Sequence, residues 1–169
     1  ITLAILPPDM RAAFLDWIAQ FRSKGGLFAF DSNYRPALWD SLDAAQSMTA
    51  RAWGMTDIAM PSVDDEIALF GDTTQAQAMA RLSGYGIAVG ALKCGAHGPV
   101  AIGQQVPEQS YPAAGLVVDT TAAGDSFNAG YLAGLVQGHP LATALAAGHD
   151  CASRVIGHRG AIIPKDQWV

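Results

Sequence analysis

Short apolar runs alternate with longer amphipathic stretches along the chain. Runs of strand length, bounded by glycine, proline or polar residues, lie at 1–6, 27–30, 57–60, 87–92 and 100–102. Apolar residues at helical spacing fill most of the intervals and predict helices at about 8–24, 37–53, 61–70, 74–82 and 141–156. Pro7-Pro8 and Gly25-Gly26 bound the first long helix, since proline favours a helix start and glycine a helix end.

This alternation is typical of an α/β fold. Strand–helix–strand units predict a mainly parallel sheet with helices on both faces, and the turn at 95–98 adds one antiparallel pair between 87–92 and 100–102. Ligands of such sheets bind beyond the carboxyl ends of the strands. We therefore expect the polar loops at 31–33, 93–95 and 119–125 to converge on one site.

Composition narrows the class of protein. The chain has 169 residues, 50% hydrophobic and 15% charged, which suits one domain with a sizeable core. A net charge of −5 without a basic cluster makes nucleic acid and acidic membrane surfaces poor partners. No apolar run reaches the roughly 18 residues that span a bilayer, and no signal peptide is visible. Two distant cysteines favour a cytoplasmic setting, and the start at Ile1 leads us to expect part of a longer protein.

The most informative stretch lies at 117–130 and reads V-V-D-T-T-A-A-G-D-S-F-N-A-G. A β-rich run at 116–118 leads into a loop of small residues, and a helix then opens with Asp125 in its first turn. Free N–H groups at a helix N-terminus attract anions. A carboxylate beside an anion site suits phosphoryl transfer, because the attacking hydroxyl must lose its proton. From spacing alone, Asp125 as a complement to the helix dipole is an equally good interpretation.

Other catalytic patterns are missing from the sequence. It contains no P-loop, no G-x-G-x-x-G, no G-x-S-x-G and no H-E-x-x-H. The four histidines lack metal-ligand spacing, so we expect them to be structural or at the surface.

The motif at 119–127, D-T-T-A-A-G-D-S-F, resembles the C-terminal signature of the ribokinase-like (PfkB) sugar kinases. That signature usually reads D-T-T-G-A-G-D-S-F, so Ala122 stands where the family has glycine. The alanine form is familiar in the 2-dehydro-3-deoxygluconokinase subgroup. Further stretches at 30–39, 57–66 and 159–164 resemble the same subgroup in matching order, so the resemblance runs from end to end.

The resemblance implies a three-layer α-β-α ribokinase-like fold. Residues 1–169 would form the C-terminal, nucleotide-binding and catalytic part of a single kinase domain, without the N-terminal strands and the lid. The implied activity is ATP-dependent phosphorylation of the terminal hydroxyl of 2-dehydro-3-deoxy-D-gluconate, with Mg²⁺. The alternatives are a kinase for fructose, ribose or tagatose phosphate, and a non-catalytic nucleotide-binding module. The lid often mediates dimerisation in this family, so the resemblance also suggests a homo-oligomer formed through the absent lid.

The resemblance also implies roles for individual residues. Asp125 would be the catalytic base, and it would also contact the substrate, while Ala122, Ala123 and Gly124 would form the anion hole. Residues matching the family's nucleotide-binding positions are Lys93, Gly95, Gly98 and Asn33.

Arg35 follows Asn33 in the family's D-x-N-x-R loop. Because guanidinium pairs bidentately with carboxylate or phosphate, Arg35 is a candidate substrate contact, with a surface arginine as the alternative. Glu66 matches a glutamate that helps to place Mg²⁺ through water, although Val63 replaces the asparagine of that motif. Asp119 and Thr121 match positions near a monovalent-cation site, for which K⁺ is the candidate.

Overall fold

The computed structural model describes residues 2–165, so Ile1 of the predicted first strand lies outside them. The chain is α/β, as the sequence predicts, and backbone contacts divide it into two compact units. One comprises Ile1–Leu92 with Ile102–Gln104, and the other comprises Lys93–Ala101 with Gln105–Val169. Among the described residues, no helix is both long and apolar enough to cross a membrane.

Among the described residues, the first unit contains most of the sheet and five α-helices. Its strands are β1 (Ala29–Phe30), β2 (Ile58–Ala59) and β3 (Val89–Lys93), of which β3 ends one residue beyond the unit. Its helices are α1 (Thr2–Ile5), α2 (Pro8–Ser23), α3 (Leu42–Trp53), α4 (Val63–Phe70) and α5 (Gln75–Ser83).

The sheet has the strand order β1-β2-β3-β4, where β4 is Pro99–Ile102. β1 and β2 pair in parallel with Phe30 opposite Ala59, and β2 and β3 pair in parallel with Ala59 opposite Gly90. A side chain at Gly90 would place its Cβ 2.7 Å from the Ala59 carbonyl oxygen. Glycine therefore lets the two strands approach at this point.

An ion pair fixes the edge of the sheet at β1 and β2. Arg22 of α2 donates to both oxygens of Asp57, at 2.8 and 2.6 Å, and the Phe28 N–H donates to the same carboxylate at 2.8 Å. These hydrogen bonds, chiefly that from Arg22, hold the pKa of Asp57 below its usual value. Asp57 thus joins the end of α2 to both strands.

The predicted strand at 1–6 is wrong, because residues Thr2–Ile5 form the short helix α1. A short apolar run does not by itself distinguish a strand from a buried helical turn. The buried guanidinium of Arg11 accounts for the outcome, since it donates to the carbonyl oxygens of Leu3 and Ala4 at 2.8 and 3.0 Å. Arg11 therefore satisfies backbone groups that the short helix leaves without partners.

The predicted helix at 37–53 begins later than expected. Pro36–Leu38 is a 3₁₀ turn, and α3 starts at Leu42 after Ser41, whose hydroxyl accepts a hydrogen bond from the Ala44 N–H at 3.1 Å. Serine at this position is a strong helix N-cap, and it sets the true start.

The second unit contains most of β4 together with two long helices, α6 (Ala123–Val136) and α7 (Leu141–Val155). Glycines allow the two helices to touch. A Cβ at Gly130 would lie 2.5 Å from the Ala147 carbonyl oxygen, and one at Gly148 would lie 2.9 Å from the Phe127 ring. Phe127 and Tyr131 of α6 are buried, and their rings stack at a centroid distance of 5.9 Å.

The β-rich run at 116–118 is not a strand in the structure, contrary to prediction. Leu116, Val117 and Val118 are exposed by 69%, 57% and 45%. Their backbone is held instead by Ile156, whose carbonyl oxygen accepts from the Val118 N–H at 2.8 Å. High β propensity therefore does not make a strand where strand partners are missing.

Candidate functional site

The loop before α6 makes a tight turn at Ala122. Ala122 has φ 61° and ψ 15°, a left-handed conformation, and it is the N-cap residue of α6. The Ala123 N–H donates to the Thr120 carbonyl at 3.1 Å, and the Ser126 N–H donates to the Ala122 carbonyl at 2.9 Å. Glycine adopts this conformation without steric cost, whereas alanine is disfavoured by roughly 1–2 kcal/mol. The turn therefore explains why a glycine would suit position 122.

Asp119 fixes the start of the same loop. Its Oδ1 accepts from the Thr121 N–H at 2.9 Å, and its Oδ2 accepts from the Gly160 N–H at 2.9 Å. The hydrogen bond from Gly160, followed by those from Thr121, lowers the pKa of Asp119 to about 2. The carboxylate thus ties the loop to the segment after α7.

This tie predicts an acid-dependent loss of stability. The pKa of Asp119 is lower in the folded state than in the unfolded state. Asp119 therefore stabilises the fold above the unfolded-state pKa near 4, and this stabilisation is lost as pH falls through about 2. Asp119→Asn offers one acceptor and introduces a donor, so it serves one of the two N–H groups. Urea unfolding of both proteins between pH 5 and pH 2 is expected to show a stability difference that narrows on acidification, and a constant difference would contradict this assignment.

Asp125 lies in the first turn of α6, and its side chain is exposed. The first N–H groups of an α-helix have no partner within the helix, so they point toward an incoming anion. The Ala123 N–H is bonded to the Thr120 carbonyl, so the structure places the accessible carboxylate in the same first turn as the N–H group of Gly124. This arrangement can bind an anion and accept a proton at neighbouring positions.

Lys93, at the end of β3, reaches the same turn. Its Nζ donates to Asn128 Oδ1 at 3.1 Å and would lie 3.5 Å from a Cβ placed on Gly124. A cation near a helix N-terminus is unfavourable alone, because both are positive, but an anion bound at that position stabilises both. Asn128, which the sequence did not single out, orients the ammonium from the next turn of α6.

Gly95 and Gly98 lie in the turn after β3. Both have left-handed backbones, with φ 55° and 80°, which favour glycine. A Cβ at Gly95 would meet nothing within 4 Å, whereas one at Gly98 would lie 2.3 Å from the Tyr111 ring. Gly95 is thus open to a ligand, and Gly98 is covered by a residue that sequence patterns did not indicate.

Tyr111 is itself held by α7. Its ring packs against His149 at a centroid distance of 5.1 Å, and His149 Nε2 lies 2.8 Å from the Pro112 carbonyl oxygen. His149 is buried, which agrees with the structural role expected for the histidines.

In the first unit, the loop after β1 carries Asn33 and Arg35. Asn33 has a left-handed φ of 39°, and its N–H donates to Asp31 Oδ1 at 3.1 Å. Arg35 Nη1 donates to the Tyr34 carbonyl at 2.6 Å and to Asp65 Oδ1 at 3.4 Å. The Arg35 side chain is half exposed, so part of its guanidinium faces solvent.

Glu66, in the first turn of α4, is fully buried. Its Oε1 accepts from Ser32 Oγ at 2.7 Å, and its Oε2 accepts from Arg81 Nη1 at 3.1 Å. Burial raises the pKa of Glu66, while Ser32 and Arg81 act in the opposite direction. Arg81 also donates to Asp72 Oδ2, at 3.0 and 2.6 Å. Within residues 2–165, no three side chains of His, Cys, Asp or Glu gather as a metal-binding group.

The structure groups the predicted site residues by unit. The second unit brings together the loop residues Asp119, Thr121, Ala122, Ala123, Gly124 and Asp125 with Lys93, Gly95 and Gly98. The first unit holds Asn33, Arg35 and Glu66 around one loop and the start of α4.

The family model described as pfkB family carbohydrate kinase matches residues 1–168. The chain is 41% identical over 172 residues to 2-dehydro-3-deoxygluconokinase from Haemophilus influenzae, covering 98% of this chain and 54% of that protein. The chain thus spans about half the length of the curated relatives it matches.

Two solved structures share the fold. One is aminoimidazole riboside kinase from Salmonella enterica, complexed with aminoimidazole riboside and an ATP analog, with TM-score 0.77, 28% identity and coverage of 87% and 51% of the two chains. The other is a fructokinase double mutant from Vibrio cholerae O395 in its fructose-, ADP- and potassium-bound form, with TM-score 0.82, 26% identity and coverage of 95% and 54%. These neighbours confirm a ribokinase-like fold, of which this chain spans about half.

Proposed function

The chain belongs to the pfkB family of carbohydrate kinases, and from this we propose that it supplies the phosphoryl-transfer part of an ATP-dependent 2-dehydro-3-deoxy-D-gluconate kinase. The observation that carries the proposal is the accessible carboxylate of Asp125 in the first turn of α6, at the helix N-terminus, where anions are favoured. The sugar acid is proposed because relatives named for it align along 98% of the chain.

In the proposed reaction, the terminal hydroxyl of the sugar acid attacks the γ-phosphorus of ATP. Asp125 accepts the hydroxyl proton as the O–P bond forms and ADP leaves. From the resemblance, the N–H groups of Ala122, Ala123 and Gly124 would stabilise the charge on the transferred phosphoryl group, and that of Ala123 would release the Thr120 carbonyl to do so. Lys93 adds a positive charge next to the same turn.

The nucleotide is proposed to lie along the turn after β3. Gly95 leaves space for close approach of phosphate to the backbone, and Gly98 shapes the turn with its positive φ. We also propose Asn33 as a nucleotide contact, because it matches one of the family's nucleotide-binding positions. We also expect a cytoplasmic location, where ATP is supplied and thiols are kept reduced.

Mg²⁺ accompanies ATP in kinases, and Glu66 is the residue that the resemblance links to this ion. Glu66 does not fit as a direct ligand, because it is buried and both of its oxygens are hydrogen-bonded to Ser32 and Arg81. Mg²⁺ commonly takes water and phosphate oxygens with one or two carboxylates. We therefore propose that the ion arrives with the nucleotide.

We also propose that a monovalent cation, K⁺, binds near Asp119 and Thr121. The Asp119 carboxylate already holds two backbone N–H groups. These residues would therefore contribute to a cation site by ordering the backbone carbonyls of the loop.

A sugar panel assayed with the full-length protein tests the proposal. Phosphorylation of 2-dehydro-3-deoxy-D-gluconate is expected to exceed that of fructose, ribose and tagatose phosphate in kcat/KM. A preference for a neutral sugar would overturn the acid-sugar assignment, and ATP binding without turnover of any sugar would point to a non-catalytic module.

Arg35 is the proposed partner of the sugar carboxylate. Arg35→Lys keeps the charge but loses bidentate geometry, so KM for the sugar acid is expected to rise about tenfold, because one good hydrogen bond to a charged group contributes roughly 1.5 kcal/mol. Turnover of a neutral sugar is expected to be unaffected by the same change. Arg51→Lys on α3, at an exposed ion pair with Asp16 of α2, serves as the matched control.

A further inference from the structure

Two neighbouring acids of α4 hold the loop that carries Asn33 and Arg35. Glu66 accepts from the Ser32 hydroxyl at 2.7 Å, and Asp65 pairs with Arg35 at 3.4 Å. The two acids are adjacent in the first turn of α4, so the loop is attached at two points to one helix.

Glu66 is rigidly supported on its other side. A buried carboxylate is stable only when its oxygens have partners. Arg81 Nη1 serves the second oxygen at 3.1 Å, and Arg81 is fixed in turn by Asp72 and by lying 3.9 Å over the Phe70 ring. The hydroxyl of Ser32 therefore meets an acceptor whose place is set by its surroundings.

The loop itself needs such support. Asn33 has a left-handed backbone, which non-glycine residues retain only when their surroundings impose it. The Asn33 N–H bonds to Asp31 on one side, and Tyr34 is buried against Ala45 and Leu69 on the other. Ser32 lies between these constraints, and its bond to Glu66 is the link from the loop to α4 nearest to Asn33.

We propose that Glu66 is a positioning residue for recognition of the sugar acid, acting through Ser32 on the loop of Arg35, rather than a residue that serves the metal. The inference rests on the proposed function for the identity of the substrate. Its physical basis is that a bidentate arginine–carboxylate contact requires the guanidinium in one orientation, so a loosened loop weakens substrate binding.

Ser32→Ala in the full-length protein is the primary test. It removes the bond to Glu66 and leaves Glu66 and Arg81 in place. We expect KM for the sugar acid to rise about tenfold, because a buried acceptor loses its partner, while kcat and the Mg²⁺ activation constant stay unchanged. Ser32→Thr keeps the hydroxyl and is expected to restore KM. Asp64→Asn, at the exposed acid beside Asp65, removes a charge from the same turn and is the control for the Glu66→Gln variant.

Two further measurements separate the interpretations. Glu66→Gln removes the charge that a metal role would use and keeps one acceptor oxygen, so the proposal expects an unchanged Mg²⁺ activation constant. A raised constant with an unchanged sugar KM would overturn the proposal. Amide hydrogen exchange at 32–35 is expected to become about tenfold faster in Ser32→Ala and to recover in Ser32→Thr. Unchanged exchange would overturn it too.

The exchange measurement does not require an active enzyme. If the wild-type protein phosphorylates no sugar acid, the proposed function fails, and the exchange rates still decide whether Glu66 positions the loop. If the sugar acid is phosphorylated but Ser32→Ala leaves KM unchanged, the positioning role alone fails.

Discussion

Replacing Asp125 with asparagine in the full-length protein is expected to lower kcat by about 10²- to 10⁴-fold, the usual contribution of a positioned general base. Asparagine has nearly the same size and hydrogen-bonds at the same place, but it does not take up the proton of the attacking hydroxyl. KM for ATP is expected to stay close to the wild-type value, because the N–H groups of α6 and Lys93 remain. Single-turnover kinetics with saturating ATP measure the chemical step directly.

The competing interpretation gives a different result. If Asp125 only complements the dipole of α6, Asp125→Asn costs about 0.3–1 kcal/mol of stability and leaves kcat unchanged. Asp9→Asn is a matched control, since Asp9 is the acid in the first turn of α2. It is expected to reproduce the stability loss without a kinetic effect. A near-wild-type kcat in Asp125→Asn, with ATP binding intact, would exclude Asp125 as the base.

Local signals in the sequence were sufficient for most helices. Gly71, at the end of α4, has the left-handed backbone that a terminal glycine predicts, and α7 follows its apolar spacing closely. The two strand predictions that are wrong concern short apolar runs, whose structure depends on contacts with residues distant in sequence. Residues 1–6 became helical beside Arg11, and 116–118 were held by the carbonyl of Ile156.

The candidate site shows the same contrast between features set by local sequence and features set by distant residues. The loop at 119–125 was found because its chemistry is contiguous in sequence. The surroundings of Glu66 were not found, because Ser32 lies 34 residues before it and Arg81 lies 15 residues after it. The resemblance implies that Glu66 helps to place Mg²⁺ through water, and the complete burial of its side chain is visible only in the folded structure.

A large loss of stability is expected when Arg81 is replaced. Arg81→Met removes the partner of a fully buried carboxylate and should destabilise the protein by about 3–5 kcal/mol at neutral pH, the usual cost of breaking a buried ion pair. Methionine retains much of the apolar contact with Phe70, so lost packing contributes little. Asp72→Asn leaves the Arg81–Glu66 pair in place and is expected to cost less. Urea unfolding at pH 7 provides the comparison.

The pH dependence of stability and a double variant identify the cause of the stability loss expected for Arg81→Met. Burial raises the pKa of Glu66, so its stabilising contribution is present below the unfolded value and is lost as pH rises through the folded one. Loss of Arg81 should raise that pKa further, and Arg81→Met is therefore expected to regain stability as pH falls from 7 toward about 5. Glu66→Gln combined with Arg81→Met removes the isolated charge at position 66 and is expected to be more stable than Arg81→Met alone at pH 7. If the double variant is no more stable, the loss belongs to the Asp72 pair or to packing, and not to an isolated charge on Glu66.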